Sequence, residues 1–171
     1  SLVDNIFFAA KIEHDEPGFS NEEINVSDIT QLAVERFAHN KKAIKMVNNI
    51  KAGLYLHVDP VGFASVVNNL IENAVKYADA ATDVMVNLSD DGAAVYLTVT
   101  DSGMGISESE KERVFDKFYR VGNEDTRKTK GTGLGLYIVK RFVEIYNGQI
   151  SIEDNKPVGT IFKLSFPKSI A

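Results

Sequence analysis

The stretch KGTGLGLYIVKRFVEIY, residues 130–146, decides how the rest of the chain is read. Gly131, Gly133 and Gly135 stand at alternate positions, which frees the backbone for positive φ and lets a bulky anion come close to its amides. Behind them the apolar residues of LYIVKRFVEIY recur at helical spacing, so the turn opens a helix whose first amides point at whatever the turn holds. Phosphate suits such a place, although a glycine-rich turn ahead of a helix also serves as a plain connector.

The chain has 171 residues, 44% hydrophobic and 25% charged, which predicts one soluble globular domain able to bury a core. A formal net charge of -5 argues against a general nucleic-acid or anionic-membrane surface, so any basic site must be local. With no cysteine there is neither a disulfide framework nor a thiolate metal site, which fits a reducing compartment. No apolar run approaches the ~18 to 20 residues that span a bilayer, and no signal-peptide pattern is visible. The first residue is Ser1 rather than Met, which reads as a fragment of a longer protein.

Outward from the opening stretch, apolar residues at 2, 3, 6, 7 and 10 have the spacing of an amphipathic helix. INVSDI reads as a strand leading to Ser27, a good N-cap for a helix over residues 28–40. AIKMVNN and LYLHV read as strands joined by a turn at 50–53. Asp59 and Pro60 start a helix that runs to Tyr77, with Phe63, Val66, Val67, Leu70, Ile71, Ala74 and Ala78 as its core stripe. VMVNLS and AVYLTVTD form a hairpin about residues 90–92. Ser107 and Glu110 have capping-box spacing ahead of a short helix over 108–115. Residues 119–132 carry no apolar period and read as the one long loop. The glycine-led helix ends at Asn147 and Gly148, and the strands QISIED and TIFKLSF close the chain. These elements predict an α/β two-layer sandwich, a mixed sheet with helices on one face.

Two further stretches carry chemistry. Asn69, Asn73 and Lys76 fall within about 60° of one another on the helical wheel. A solvated polar face is one reading of them. The other is that the amide oxygens ligate magnesium, a hard ion that shares its shell with substrate phosphates, with Lys76 facing phosphate. In VTDSGMGI, residues 99–106, a strand ends at Asp101 beside two glycines. A carboxylate there either forms the turn or accepts a hydrogen bond from an exocyclic amine such as that of adenine.

Taken together, NLIENAVKY, DSGMGI, VFDKFYRV and GTGLGLYIVKRFVE resemble, in this order and spacing, the N box, first glycine box, F box and second glycine box of the ATP-binding domain of sensor histidine kinases. That group is a branch of the superfamily that includes gyrase, the ninety-kilodalton heat-shock chaperones and the mismatch-repair clamp. The resemblance covers residues 54–166 and implies a Bergerat-type fold with a flexible ATP lid. Residues 1–20 then correspond to the end of the second dimerisation helix and its linker, and residues 21–171 to the catalytic domain.

Carried over residue by residue, the resemblance implies that Asn73 ligates magnesium, that Asn69 and Lys76 lie near the phosphates and that Tyr77 packs on the nucleotide. Asp101 would bind the adenine amine, with Gly103, Gly105 and Ile106 shaping that pocket and Thr160 contributing through water. Phe115 and Phe118 would anchor the lid. Arg120, Arg127, Lys128 and Lys130 would reach the terminal phosphate. Gly131, Thr132, Gly133, Leu134 and Gly135 would close over the triphosphate.

The implied activity is transfer of the ATP γ-phosphoryl group to a histidine on a separate dimerisation and phosphotransfer domain, with a response regulator receiver domain downstream. Neither nucleic acid nor direct membrane contact is implied, and the domain would lie in the cytoplasm beneath a membrane-anchored parent. The water-using members of the superfamily carry a glutamate where this chain has Asn69, and an asparagine cannot act as a general base at neutral pH. Glu72 is turned roughly 100° from Asn73 and is placed to pair with Lys76. His14, His39 and His57 lack the acceptor context, His14 because Pro17 follows it at the third position instead of the fifth. An ATP-hydrolysing clamp and a nucleotide-binding module without chemistry are the rival readings.

Overall fold

The computed structural model describes residues 2–13, 18–122 and 131–168. In chain order its elements are α1 (Leu2–Glu13), β1 (Glu22–Asn25), α2 (Val26–Phe37), β2 (Lys45–Ile50), β3 (Tyr55–Val58), α3 (Pro60–Tyr77), β4 (Asp83–Asp90), β5 (Ala94–Asp101), α4 (Glu108–Lys111), α5 (Gly135–Ile145), β6 (Gln149–Asp154) and β7 (Thr160–Pro167). Of the predicted loop over 119–132, residues 123–130 lie outside the described part, and Arg127, Lys128 and Lys130 with them; so does His14.

Strict alternation builds the main sheet. Val84, Val86 and Leu88 of β4, Val95, Leu97 and Val99 of β5, and Phe162, Leu164 and Phe166 of β7 all point to one buried face. The sheet has the order β2-β4-β5-β7-β6, with β2 parallel to β4 and every other pair antiparallel. Against that face lie α2, α3 and α5, so the predicted sandwich with helices on one side is what forms.

At the centre, Phe63 of α3 and Phe142 of α5 both meet Phe166 edge-on, at 5.9 and 6.2 Å between ring centroids. Gly62 lets the two helices approach so closely that a Cβ there would collide with the Phe142 ring.

Four details depart from the sequence reading. The strands at 45–50 and 55–58 belong to different sheets: β3 pairs antiparallel with β1 in a separate two-stranded sheet. The N-cap of α2 is Asn25, whose side chain accepts from the Asp28 amide at 3.0 Å. Ser27 lies one residue inside the helix, where its hydroxyl donates to the Lys51 carbonyl at 2.6 Å and accepts from the Leu54 amide at 3.0 Å.

The capping box at Ser107 is not made, because the Glu110 carboxylate is taken by the Tyr119 hydroxyl; the expected helix over 108–115 breaks into α4 and a 3-10 turn at Arg113–Phe115. In α1, the buried stripe is Phe8, Ala9 and Ile12, while Val3, Ile6 and Phe7 of the predicted stripe face outward. The cluster formed by Leu134, the N-cap residue of α5, and Ile138 of α5 with Phe19 selects that other face.

The ends of the helices are held by side chains. Asp59 caps α3 through the Gly62 amide at 2.7 Å and also accepts from the Ser20 amide at 3.0 Å. Burial pushes its carboxyl up, but the bonds from Gly62 and Ser20 and the Lys11 charge outweigh that and hold it below the usual value. The Tyr146 hydroxyl closes the same node, accepting from the Asp59 amide at 3.0 Å and donating to the Ser20 carbonyl at 2.7 Å. Helix α5 ends in a Schellman arrangement with Asn147 at φ 57, Gly148 donating to Val143 at 2.8 Å and Asn147 to Glu144 at 3.1 Å. Among the described residues no helix is long and apolar enough to cross a membrane.

Candidate active site

One wall of the principal cleft is the polar face of α3. Asn69, Asn73, Lys76 and Tyr77 all line it, as the wheel predicts. The floor is the end of β5 and the following loop, where Asp101, Met104, Gly105 and Ile106 meet Thr160 of β7. Opposite α3 stand Tyr119, Arg120 and Val121, and then Gly131, Thr132, Gly133, Gly135 and Leu136 at the start of α5.

Asp101 is 3% exposed, yet it reaches the cleft. The Gly103 amide donates to its Oδ1 at 2.9 Å. Burial raises its pKa above the ordinary carboxylate value, and the amides of Gly103 and Thr160 pull it partly back. Its backbone carbonyl accepts from the Asn155 side chain at 2.9 Å, so the β6–β7 turn fixes the main chain beneath the carboxylate. Gly103 does not line the cleft; it packs under it, so close to the Tyr77 carbonyl that a Cβ would overlap the oxygen. Gly105 is the residue of this loop in the left-handed region, at φ 75.

At the other end, the three glycines of the opening stretch divide their work. Only Gly133 takes positive φ, at 76, where it lies against the backbone of Phe118. Gly131 and Gly135 allow close approach: a Cβ would displace the end of the Lys76 side chain at the first and stand 3.0 Å from Asn69 Oδ1 at the second. The N-cap residue of α5, Leu134, makes no side-chain capping bond, so the first-turn amides of this helix remain available at the cleft wall. Leu134 itself, expected beside the nucleotide, is buried in the contact with α1.

Phe115 and Phe118, paired in the sequence reading, separate. Phe115 is buried edge-on to Phe162 at 6.4 Å, whereas Phe118 is 63% exposed and its backbone meets the glycine turn, its amide donating to the Gly133 carbonyl at 3.1 Å. The predicted Glu72–Lys76 pair does not form among the described residues; Lys76 turns toward the Tyr77 ring at 5.9 Å and Gly131, and Glu72 reaches the cleft rim instead.

Asn5 and Tyr119 line the cleft and were not found from sequence. Tyr119 sits between Phe118 and Arg120 and shared their signal; Asn5 had none, since its partner Asn69 is 64 residues away.

The Asn73 amide is half-buried, faces the cleft and has no hydrogen-bond partner among the described residues, so its oxygen fits an ion held largely by phosphates and water. The described residues hold no cluster of three or more acidic, His or Cys side chains that would cage a metal alone.

The cleft therefore has a buried carboxylate at one end, with amides, a lysine and an arginine at the other. Residues 58–170 match the family described as histidine kinase-, DNA gyrase B-, and HSP90-like ATPase. The chain is 31% identical over 170 residues to the sensor histidine kinase WalK of Bacillus subtilis, covering 97% of this chain and 28% of that one. It is 34% identical over 147 residues to the sensor-like histidine kinase SenX3 of Mycolicibacterium smegmatis, covering 85% and 38%. It thus spans about a third of the length of these relatives. Among solved structures, the mycobacterial sensor histidine kinase MprB superposes with a TM-score of 0.76 at 26% identity, over 88% of this chain and 99% of that one. The chain belongs to the histidine kinase-, DNA gyrase B-, and HSP90-like ATPase family, as a catalytic ATP-binding domain of the sensor histidine kinase kind.

Proposed function

We propose that this chain transfers the γ-phosphoryl group of ATP to a histidine on a dimerisation and phosphotransfer domain of its parent protein. The observation that carries the reading is the polarity of the cleft: a buried Asp101 at one end, and Asn73, Lys76 and the amides of α5 at the other. Asp101 is held by the amides of Gly103 and Thr160, and its cleft-facing edge takes the adenine amine, with Gly105, Ile106 and Thr160 around the base. Tyr77 packs on the nucleotide. Lys76 and Arg120 face the phosphates, and Gly131, Thr132, Gly133 and Gly135 present backbone to them. Asn73 would hold magnesium, which when bound supplies charge neutralisation at the phosphates. The imidazole nitrogen forms a bond to Pγ as the bond from Pγ to the bridging oxygen breaks, and ADP leaves with the electron pair.

In this reading residues 1–20 are the end of the dimerisation helix and linker, residues 21–171 are the catalytic domain, and a response regulator receives the phosphoryl group afterwards. The parent is membrane-anchored with this domain in the cytoplasm. One observation favours hydrolysis as a second reading, namely Glu72 on the cleft rim, where a water could meet a carboxylate.

The test uses γ-labelled ATP and the parent's dimerisation domain supplied as a separate protein. Acid-labile, base-stable label on that domain, absent with Asn73→Ala, is expected; separation lowers the rate because the effective concentration of a short tether, on the order of millimolar, is lost. Fast hydrolysis without transfer, abolished by Glu72→Gln, would establish the second reading instead.

A further inference from the structure

Helix α3 carries the phosphate-facing and adenine-facing groups on its last two turns, yet it has no conventional stop. Its C-cap, Ala78, is extended at φ -66 and ψ 147, and the cap contributes one backbone bond, from the Ala78 amide to the Ala74 carbonyl at 2.9 Å. No glycine or asparagine follows to fold the chain back onto the last carbonyls. Those carbonyls are instead taken up by one side chain from elsewhere. The ammonium of Lys42 donates to the carbonyls of Val75 and Ala78, both at 3.1 Å, and to that of Lys76. Its three N–H donors are all spent.

The remaining carbonyl of the last turn, that of Tyr77, is the one against which Gly103 packs, and Gly103 in turn donates to Asp101. The end of α3 is thus clamped between Lys42 on one side and the Gly103–Asp101 corner on the other. Lys42 is itself anchored. Its carbonyl accepts from the Ala81 amide at 3.1 Å, and Asn40 ties the preceding turn by donating to the Phe37 and Ile44 carbonyls at 3.1 and 2.8 Å. Lys42 does not line the cleft and meets Lys76 only at its backbone carbonyl, behind the cleft wall.

We infer that Lys42 is a positioning residue for nucleotide binding: by capping α3 it sets the placement of Lys76 and Tyr77 relative to Asp101. A cation on the carboxyl end of a helix is favoured by the helix dipole and by the orphan carbonyls there. Removing it frees the last turn, and the Tyr77–Gly103 contact under the base loosens. The inference rests on the reading of the cleft as an ATP site.

Calorimetric titration of the whole chain with adenosine, and with ATP and magnesium, tests it. Lys42→Met is expected to weaken both ligands by about 5- to 20-fold, and Lys42→Arg by less than about 3-fold. The adenosine arm matters because adenosine carries no phosphate, so loss of simple charge attraction would leave its affinity unchanged. Ser27→Ala, which breaks two buried bonds away from the cleft, is the stability control: at a similar loss in Tm it should bind both ligands within about 2-fold of the parent. Lys42→Gln keeps part of the donor set, is expected to fall between Met and Arg, and serves if the Met variant does not fold. Adenosine affinity unchanged in Lys42→Met or Lys42→Gln, or lost equally in Ser27→Ala, would overturn the role of Lys42 while leaving the ATP site standing. A parent chain that binds no ATP would overturn the site reading, and this inference with it.

Discussion

Asn5 and Asn69 exchange hydrogen bonds through their side-chain amides, Asn5 donating at 3.2 Å and Asn69 returning one at 3.3 Å. The pair joins α1 to the polar face of α3 at the wall of the cleft. Asn69 is 9% exposed and among the described residues has only the Ser65 hydroxyl besides, at 3.3 Å. Asn5→Ala should therefore cost about 1 to 2 kcal/mol and lower Tm by about 2 to 6 °C. In a double-mutant cycle with Asn69→Ala, thermal unfolding should show a coupling of about 1 kcal/mol; additive losses would mean that the two amides do not sense each other.

Asp101 predicts an unusual pH dependence. Its folded pKa lies above the ordinary 3.8, so the native state holds this proton more tightly than the unfolded chain does. The contribution to stability is full below the unfolded value and is lost as the pH rises through the folded one. Asp101→Asn should accordingly be more stable than the parent at neutral pH, with the gap closing as the pH falls toward about 4. ATP affinity should move the other way, down by about 10-fold or more, because a charge-assisted bond is lost. Unfolding curves from pH 4 to 8 showing a constant gap would contradict the first expectation.

Two glycines separate close packing from turn strain. Gly103→Ala drives a Cβ into the Tyr77 carbonyl, which is backbone and cannot rotate away, and should cost about 2 to 4 kcal/mol. Gly92 sits in the β4–β5 hairpin at φ 91 with open space around it, so Gly92→Ala should cost only about 1 kcal/mol. Denaturant unfolding that ranks them in the opposite order would remove the contact under the adenine end from the account.

Asn73→Ala separates the two ends of the cleft. Its half-buried amide makes no hydrogen bond to another described residue, so truncation should leave stability within about 0.5 kcal/mol of the parent. The magnesium-dependent part of ATP affinity should fall while adenosine binding stays nearly unchanged. Titrations in which both fall together would make Asn73 a structural residue.

Helix α3 was legible because its signals are local: the Asp59–Pro60 start, the apolar stripe from Phe63 to Ala78, and three polar side chains on one face. The glycine turn, the hairpin at Gly92 and the close of α5 were legible for the same reason. What stayed hidden depends on partners distant in the chain. Parallel pairing of β2 with β4 needs no turn between them, so a strand pattern alone placed β2 beside β3. Ser107 and Glu110 had the right spacing, but Tyr119 competed for the carboxylate. Ser27 had the right chemistry for a cap and was claimed instead by Lys51 and Leu54. Nothing about Lys42 or Asn5 in the sequence announces the carbonyls or the amide that each one meets across the fold.

The node at Asp59, Ser20 and Tyr146 is a clasp that joins three stretches of chain far apart in sequence. Ser20 is fastened to the N-cap residue of α3 and the C-cap residue of α5 together. These are the two helices whose other ends frame the cleft. The placement of α3 against α5, and with it the close approach of Lys76 to Gly131, is thus fixed at the ends of these helices that lie away from the cleft.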